Sequence, residues 1–209
     1  MNRRTLLTLP LGLAVIRAAR AQPVPLTPQD RADLSRVETY LNSIHTLKAH
    51  FLQVGPNGDT SEGTAWLERP GRMRFEYNPP VPFVLVAGHG VVLFHDKQLD
   101  QTSNYPIGST PLGILLADTI RLSGDITVTR IARQPGQLQV TLVRTASPGD
   151  GSITLVFSDP PLTLRQWIVI DAQRRETRVS LYDVQLGGTF DDSLFNVAIP
   201  NYQPTPATR

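Results

Sequence analysis

The sequence predicts a mainly β fold in which an incomplete, half-closed antiparallel β-barrel is covered by α-helices. Apolar and polar residues alternate in many short stretches, short turn signals separate these stretches, and two helical segments interrupt them. Short connections favour antiparallel neighbours, because parallel strands need long crossovers. A sheet of roughly nine to eleven strands is near the size at which open sheets curl. We therefore expect the helices to cover the open side of a curled sheet.

The first predicted element is an amphipathic helix that begins after Thr27. Thr27 offers a capping hydroxyl, Pro28 suits the first helical position, and Asp30 places a negative charge in the first turn. Apolar residues then recur at spacings of three and four, namely Leu34, Val37, Leu41 and Ile44. This spacing predicts one buried face on an otherwise polar helix.

From residue 47 the apolar period changes to two, which is typical of β-strands. In the third predicted strand Met73, Phe75 and Tyr77 share one face, opposite Arg72 and Arg74. The predicted strands cover residues 47–52, 64–68, 72–77, 81–87, 91–95, 126–132, 138–144, 152–157, 164–171 and 177–186. Glycine, proline and aspartate occupy the turns between them, as in a meander of hairpins.

Two further segments are expected to be helical. Thr110 and Pro111 cap a segment over residues 112–117 that is apolar on every side and contains Gly113. Glycine loosens a helix by up to about 1 kcal/mol relative to alanine, which suits a moving element, and it also permits close packing. Residues 191–195 are expected to form a single helical turn.

Residues 1–21 have the pattern of a cleavable export signal. Basic Arg3 and Arg4 precede an apolar run over residues 5–16, and the small-residue pattern at residues 19–21 predicts cleavage after Ala21. The run is shorter than the roughly 20 residues that a membrane-spanning helix needs. The paired arginines are compatible with both twin-arginine and general secretion. The mature chain, residues 22–209, is expected to form a single domain.

The apparent positive charge of the sequence belongs to this leader. The whole chain has 20 basic and 18 acidic residues, and four of the basic residues but none of the acidic ones lie in residues 1–21. The remaining 16 basic and 18 acidic residues give a formal charge of −2, so no nucleic-acid partner is expected.

The chain contains no cysteine. This composition excludes disulfides, thiolate metal sites, a cysteine nucleophile and a lipid anchor on cysteine. Histidines at positions 45, 50, 89 and 95 have no acidic partner at a known metal-ligand spacing, and no metal site or other cofactor is predicted.

Residues 62–77, which read EGTAWLERPGRMRFEY, are followed by an apolar strand, a glycine-rich turn and the Thr110-Pro111 segment. Upstream, Phe51-Leu52-Gln53 forms an F-x-Q pattern. In this order, after an export signal, the sequence resembles the LolA family of periplasmic outer-membrane lipoprotein carriers. The resemblance covers the mature chain in element order and is specific in its central third.

The resemblance implies a hollow barrel that holds the acyl chains of a lipoprotein under a helical lid. By position, Arg69 matches the family's Arg-Pro arginine, which acts as a latch on the lid in the unloaded state. The implied acyl-binding residues are Leu34, Val37, Leu41, Ile44, Met73, Phe75, Tyr77, Leu112, Leu115 and Leu116. Each of these side chains is equally compatible with an ordinary core position. Gly113 in the lid and the arginines at positions 72 and 74 depart from the family pattern.

The resemblance further implies a monomeric, non-enzymatic shuttle in the periplasm. Such a protein receives acylated lipoproteins from an ABC-type release complex in the inner membrane and delivers them to an outer-membrane receptor. That receptor is anchored through a lipid on cysteine, so the lack of cysteine favours the shuttle. Two alternatives stay open: a sensory or regulatory lipid-binding module on the same fold, and a hydrolase of envelope lipids or glycans. The hydrolase would need a catalytic set of residues that the sequence does not contain.

Overall fold

The computed structural model describes residues 26–196, so the export signal predicted at residues 1–21 lies outside the described residues. One α-helix, α1, spans Pro28–Ser43. The strands are β1 Thr46–Val54, β2 Thr60–Glu68, β3 Arg72–Tyr77, β4 Phe83–Gly88, β5 Val91–Asp96, β6 Gln101–Pro106, β7 Ile126–Gln134, β8 Gln137–Arg144, β9 Gly151–Ser158, β10 Thr163–Asp171 and β11 Glu176–Leu186.

The eleven strands form one antiparallel sheet in the order β6-β5-β4-β3-β2-β1-β11-β10-β9-β8-β7. The chain runs from β1 out to the edge strand β6 and crosses to the opposite edge at β7. It then returns strand by strand to β11, which pairs with β1. Because β6 and β7 are not paired with each other, the sheet is an incomplete barrel, as the sequence predicts. We call residues 107–125, which join these two edges, the crossing segment.

Helix α1 begins where the sequence predicts. The Asp30 backbone N–H donates to Thr27 Oγ1 at 3.1 Å, and the Thr27 backbone N–H donates to Asp30 Oδ2 at 2.9 Å, which completes a capping box. The apolar stripe of α1 is buried against the sheet, with Val37 fully enclosed. Burial of this stripe, rather than intrinsic propensity, supplies most of the stability of a helix of this length.

The prediction of an α-helix over residues 112–117 is wrong. The crossing segment instead forms two short 3-10 turns, at Ile107–Ser109 and Pro111–Ile114. The Gly113 N–H donates to Thr110 O at 3.1 Å, which is a bond between residues three apart. Proline and glycine recur too often here for an α-helical nucleus, whose formation is costly even in favourable sequences.

Gly113 serves close packing rather than looseness. A Cβ atom at this position would lie 2.4 Å from Ile107 O and 2.7 Å from Arg144 Nη2. Both distances are below van der Waals contact, so a side chain here would displace its neighbours.

The sequence analysis did not predict strand β6. Its sequence, QTSNYP, has no apolar alternation, and its residues are mostly exposed at the edge of the sheet. The helical turn predicted at residues 191–195 is confirmed as a 3-10 turn over Asp192–Phe195.

The sheet has apolar side chains on both faces, in two clusters of different size. The concave face packs with α1 and the crossing segment into the main core. On the outer face, Val84 and Val86 pack with Phe195, and Trp66 adjoins them.

Arg72 and Arg74 hold the C-terminal turn against the outer face. Arg72 pairs with Asp192 and lies 5.3 Å from the Phe195 ring centre, while Arg74 donates to Leu194 O at 3.2 Å. The two arginines of β3 therefore have a structural role on the convex side of the barrel.

Candidate functional site

The Arg69 side chain lies between the end of β2 and the C-terminal end of α1. Its Nε donates to Ile44 O at 2.7 Å, and its Nη2 donates to Ile44 O at 2.6 Å and to Leu41 O at 2.5 Å. Its Nη1 reaches Ala117 O in the crossing segment at 3.5 Å. One guanidinium therefore contacts both elements that cover the barrel opening.

These acceptors explain why an arginine suits this position. The last carbonyls of a helix have no partner within the helix and carry the negative end of its dipole. A guanidinium has five N–H donors in a planar fork and can meet several such oxygens at once. Burial lowers the pKa of Arg69, and the nearby Asp118 partly opposes that shift. The side chain remains a cation, because its ordinary pKa is far above neutral pH.

Helix α1 and the crossing segment are joined to each other by side chains of α1. Asn42 donates from Nδ2 to Ile120 O and accepts from the Ile120 N–H, both at 2.9 Å. Glu38 accepts from the Leu122 N–H at 2.5 Å. We refer to α1 and the crossing segment together as the lid, since they form one hydrogen-bonded cover over the concave face.

A second group of contacts fixes the N-terminal half of α1. Arg133 of β7 donates to Asp30 Oδ1 at 2.7 Å and to Asp33 Oδ2 at 2.8 Å. Arg36 donates to Asp159, in the turn between β9 and β10, at 2.6 Å. The two ends of α1 are thus held differently, by ion pairs at the start and by the Arg69 guanidinium at the end.

A cavity of about 270 Å³ lies under the lid on the concave face of the barrel. Its walls come from strands β1, β3, β4, β5, β10 and β11 and from the crossing segment. They are mostly apolar and rich in aromatic rings: Met73, Phe75, Tyr77, Leu85, Phe94, Leu112, Trp167, Val169 and Val179, with Gln53 and Thr177 as polar members. Such a cavity takes an apolar ligand with few polar contacts.

The main internal polar contact is between two of these residues. Tyr77 Oη donates to Gln53 Oε1 at 3.0 Å. Burial raises the pKa of Tyr77 to about 12, and the hydrogen bond to Gln53 opposes this shift. The phenol therefore stays neutral, and the cavity gains no charge from it.

A smaller space of about 20 Å³ lies beneath the Arg69 contacts. Leu41, Ile44 and Leu115 line it from the lid, while Phe75 and Trp167 line it from the sheet. Because Phe75 and Trp167 also line the larger cavity, the packing beneath Arg69 is continuous with that cavity.

The residues that the resemblance implies for acyl binding are placed in three groups. Four of them line the larger cavity, namely Met73, Phe75, Tyr77 and Leu112. Three surround the space beneath Arg69, namely Leu41, Ile44 and Leu115. Leu34, Val37 and Leu116 are buried in the main core and line neither space.

Sequence reasoning did not single out several cavity residues on the later strands. Trp167 and Val169 alternate along β10, and Thr177 and Val179 alternate along β11, so strand periodicity marks each pair as sharing a face. Periodicity alone does not reveal that β10 and β11 face β3 and β5 across the same concave space.

Within residues 26–196 no group of three histidine or acidic side chains lies close enough to hold a metal ion. No helix in this described part of the chain is long and apolar enough to cross a membrane.

Comparison with known proteins places the chain among lipoprotein carriers. Residues 42–198 match the family model described as "Outer membrane lipoprotein carrier protein LolA". The outer-membrane lipoprotein carrier protein of Methylococcus capsulatus is 30% identical, over 86% of this chain and 88% of that protein. The protein of the same description from Methylobacillus flagellatus is 28% identical, over 90% of this chain and 95% of that protein.

Among solved structures, a LolA superfamily protein from Nitrosomonas europaea is similar over 78% of this chain and 97% of that chain, with 9% sequence identity and a TM-score of 0.42. The family assignment depends on the sequence matches, which span most of the described residues. The chain belongs to the LolA family of outer membrane lipoprotein carrier proteins.

Proposed function

We propose that this protein is a periplasmic shuttle that binds the acyl chains of lipoproteins in the cavity under its lid. The observation that carries the proposal is the aromatic, apolar cavity of about 270 Å³, covered by a lid that Arg69 holds through backbone carbonyls. Membership in the lipoprotein carrier family supports the same role.

The physical need for such a cavity follows from the cost of exposing an acyl chain to water. At about 0.8 kcal/mol per methylene, a sixteen-carbon chain costs on the order of 12 kcal/mol. A lipoprotein that leaves one membrane for another therefore needs an enclosed apolar site on the way. The concave face supplies that site without any charged side chain among its walls.

Within this proposal, the lid moves during loading so that the space under it enlarges. The partly open cavity has about 270 Å³, close to the lower end of the range of about 300–1,000 Å³ that pockets for drug-sized ligands have. Arg69 opposes opening through three short hydrogen bonds, and bonds to charged groups contribute about 1.5–3 kcal/mol each. Lid and acyl chain then compete for the same apolar surface, which keeps binding reversible.

Within this proposal, the protein takes lipoproteins from an inner-membrane ABC-type release complex and transfers them to an outer-membrane receptor. The signal predicted at residues 1–21 would direct export to the periplasm, with cleavage after Ala21. The protein acts as a monomer and carries out no covalent chemistry.

The test is the release of radiolabelled lipoprotein from spheroplasts by the purified mature protein. We expect wild-type protein to bring lipoprotein into the supernatant, and Leu112→Gln to do so several-fold less because it puts an amide in the cavity wall. Leu99→Gln is the matched control, since Leu99 is 63% exposed in the turn before β6. Lipoprotein that stays membrane-bound with wild-type protein, while an established carrier extracts it, would refute the proposal.

A further inference from the structure

A second, polar cavity is lined by the crossing segment, the start of β7 and the end of β8. It is a half-open space of about 370 Å³, and Arg121, Ser123 and Asp125 in its walls are exposed. Its polar walls come from Arg121, Ser123, Asp125 and Arg144, and Ile114 and Ile120 form an apolar side. None of these residues belongs to the wall of the acyl cavity.

Arg144 is not satisfied by the surrounding protein. Its Nε is buried and has no hydrogen-bond partner among residues 26–196. Its Nη2 is packed so closely against the backbone of the crossing segment that a Cβ atom at position 113 would lie 2.7 Å away. A buried N–H donor without a hydrogen-bond partner is unusual in a native protein. It indicates that Arg144 Nε donates to a ligand and not to another part of the chain.

The charges around the cavity are also unbalanced. Arg121 and Arg144 supply two positive charges, Asp125 supplies one negative charge, and none of the three forms a salt bridge within the described part of the chain. The cavity therefore has a net charge of +1, which matches a ligand with a single negative charge.

The donor set favours phosphate oxygens over a carboxylate. Two guanidinium forks and the Ser123 hydroxyl offer more donors than two carboxylate oxygens accept in good geometry. A phosphodiester has one negative charge and several acceptor oxygens, and the isoleucine side suits the carbon atoms attached to it.

We propose that this cavity binds a singly charged phosphodiester, the chemistry of a glycerophospholipid headgroup. The proposal is independent of lipoprotein carriage, because its residues are separate from the acyl cavity. Ile120 also lines the small space beneath Arg69, and its backbone is bonded to Asn42 of α1. A ligand in this cavity would therefore contact the crossing segment of the lid.

The experiment is a calorimetric titration of the purified mature protein with glycerophosphoglycerol, the water-soluble headgroup of phosphatidylglycerol. Wild-type protein should bind it, and Arg121→Gln and Arg144→Gln should each weaken binding by about tenfold or more, the effect of losing a charged hydrogen-bonding partner. Arg130→Gln, at an exposed position farther along β7, removes the same charge outside the cavity and should leave affinity unchanged.

Further titrations distinguish a phosphodiester from inorganic phosphate as the ligand. Inorganic phosphate that binds while glycerophosphoglycerol does not would overturn the phosphodiester assignment. Glycerophosphoglycerol that binds Arg121→Gln and Arg144→Gln as tightly as it binds wild-type protein would also overturn the proposal, because the site would then not depend on these arginines. Arg121 is exposed, so Arg121→Gln is expected to fold, and thermal unfolding of each variant verifies this.

Discussion

At the scale of single residues, Arg69 shows how a side chain at a strand end gains a specific role from its acceptors. Sequence alone describes it as an arginine before a Pro-Gly turn. In the fold, its guanidinium meets the carbonyls of Leu41 and Ile44 and reaches Ala117. Leu41 and Ile44 present their carbonyls at the C-terminal end of α1, and Ala117 presents its carbonyl within the crossing segment, so Arg69 bridges the two parts of the lid.

Replacing Arg69 by leucine should uncouple loading from delivery. We expect Arg69→Leu to extract labelled lipoprotein from spheroplasts but to transfer it poorly to outer-membrane vesicles, since closure no longer competes with the bound acyl chain. Arg165→Leu, at an exposed position on β10, is the control. Onward transfer by Arg69→Leu at the wild-type rate would contradict the hypothesis that Arg69 acts as a latch on the lid.

Asp30 gives a pH-dependent prediction at the same scale. The hydrogen bonds from Arg133 and from Thr27 lower the pKa of Asp30 from 3.8 to about 2. A lowered pKa means that the folded state favours the carboxylate, so the stabilisation is complete above about pH 4 and is lost as the pH falls toward 2.

The difference in the free energy of unfolding between wild type and Asp30→Asn should therefore shrink between about pH 4 and pH 2. Urea denaturation at a series of pH values measures this difference. A difference that stays constant across that range would show that the charge of the Asp30 carboxylate does not contribute to the free energy of unfolding.

At the scale of elements, the lid is a composite of one α-helix and a segment of 3-10 turns. The Asn42 side chain joins the two parts, since its amide nitrogen donates to Ile120 O and its amide oxygen accepts from the Ile120 N–H. Ion pairs from Arg133 hold one end of α1 to β7, while Arg69 holds the other end through backbone oxygens. If the lid opens as proposed, these contacts predict movement at the Arg69 end about the Arg133 end.

Removal of the Asn42 amide should loosen the crossing segment without unfolding the barrel. We expect Asn42→Ala to lower stability by about 1–3 kcal/mol and to speed amide hydrogen exchange in residues 107–122, because buried backbone groups of Ile120 lose their partners. Asn104→Ala, at an exposed position of β6, should change neither quantity. Equal exchange in the two variants would show that the lid is held by other contacts.

At the scale of the whole molecule, the sheet separates two environments that each contain one of the chain's two tryptophans. Trp167 lines the acyl cavity on the concave side, 6.0 Å from Phe75 between ring centres. Trp66 packs on the outer face beside the cluster that the C-terminal turn completes. The two rings therefore report on opposite sides of the barrel.

A nitroxide-labelled stearic acid should quench Trp167 and not Trp66. In Trp66→Phe, where Trp167 is the only tryptophan, emission should fall strongly on titration. In Trp167→Phe the remaining emission should be nearly unaffected, because the sheet lies between Trp66 and the cavity. Equal quenching in the two variants would place the fatty acid outside the cavity.

Much of the architecture was predictable because local signals and the global fold agree. Each of these signals depends on residues that are only a few positions apart in the sequence. They are the capping box at Thr27, the apolar stripe on α1 and the alternation of apolar and polar residues in the strands. The prediction failed at residues 112–117, where apolar composition indicated a helix but the proline and glycine in and before this segment favoured 3-10 turns. It also missed β6, whose edge position removes the need for an apolar face.

By itself the sequence determined the element order, the antiparallel meander and the apolar faces, because each depends on spacing along the chain. The tertiary structure decided which apolar residues line a cavity and which fill the core. It also decided that position 63 has no room for a side chain, because a Cβ atom on Gly63 would lie 2.0 Å from Glu76 O and 2.8 Å from the Phe51 ring. The hydrogen bonds of Arg69 to α1 and the placement of Arg121 and Arg144 around one cavity likewise bring together residues far apart in sequence. Such contacts form only when the sheet curls and the lid crosses its opening, so spacing along the chain does not reveal them.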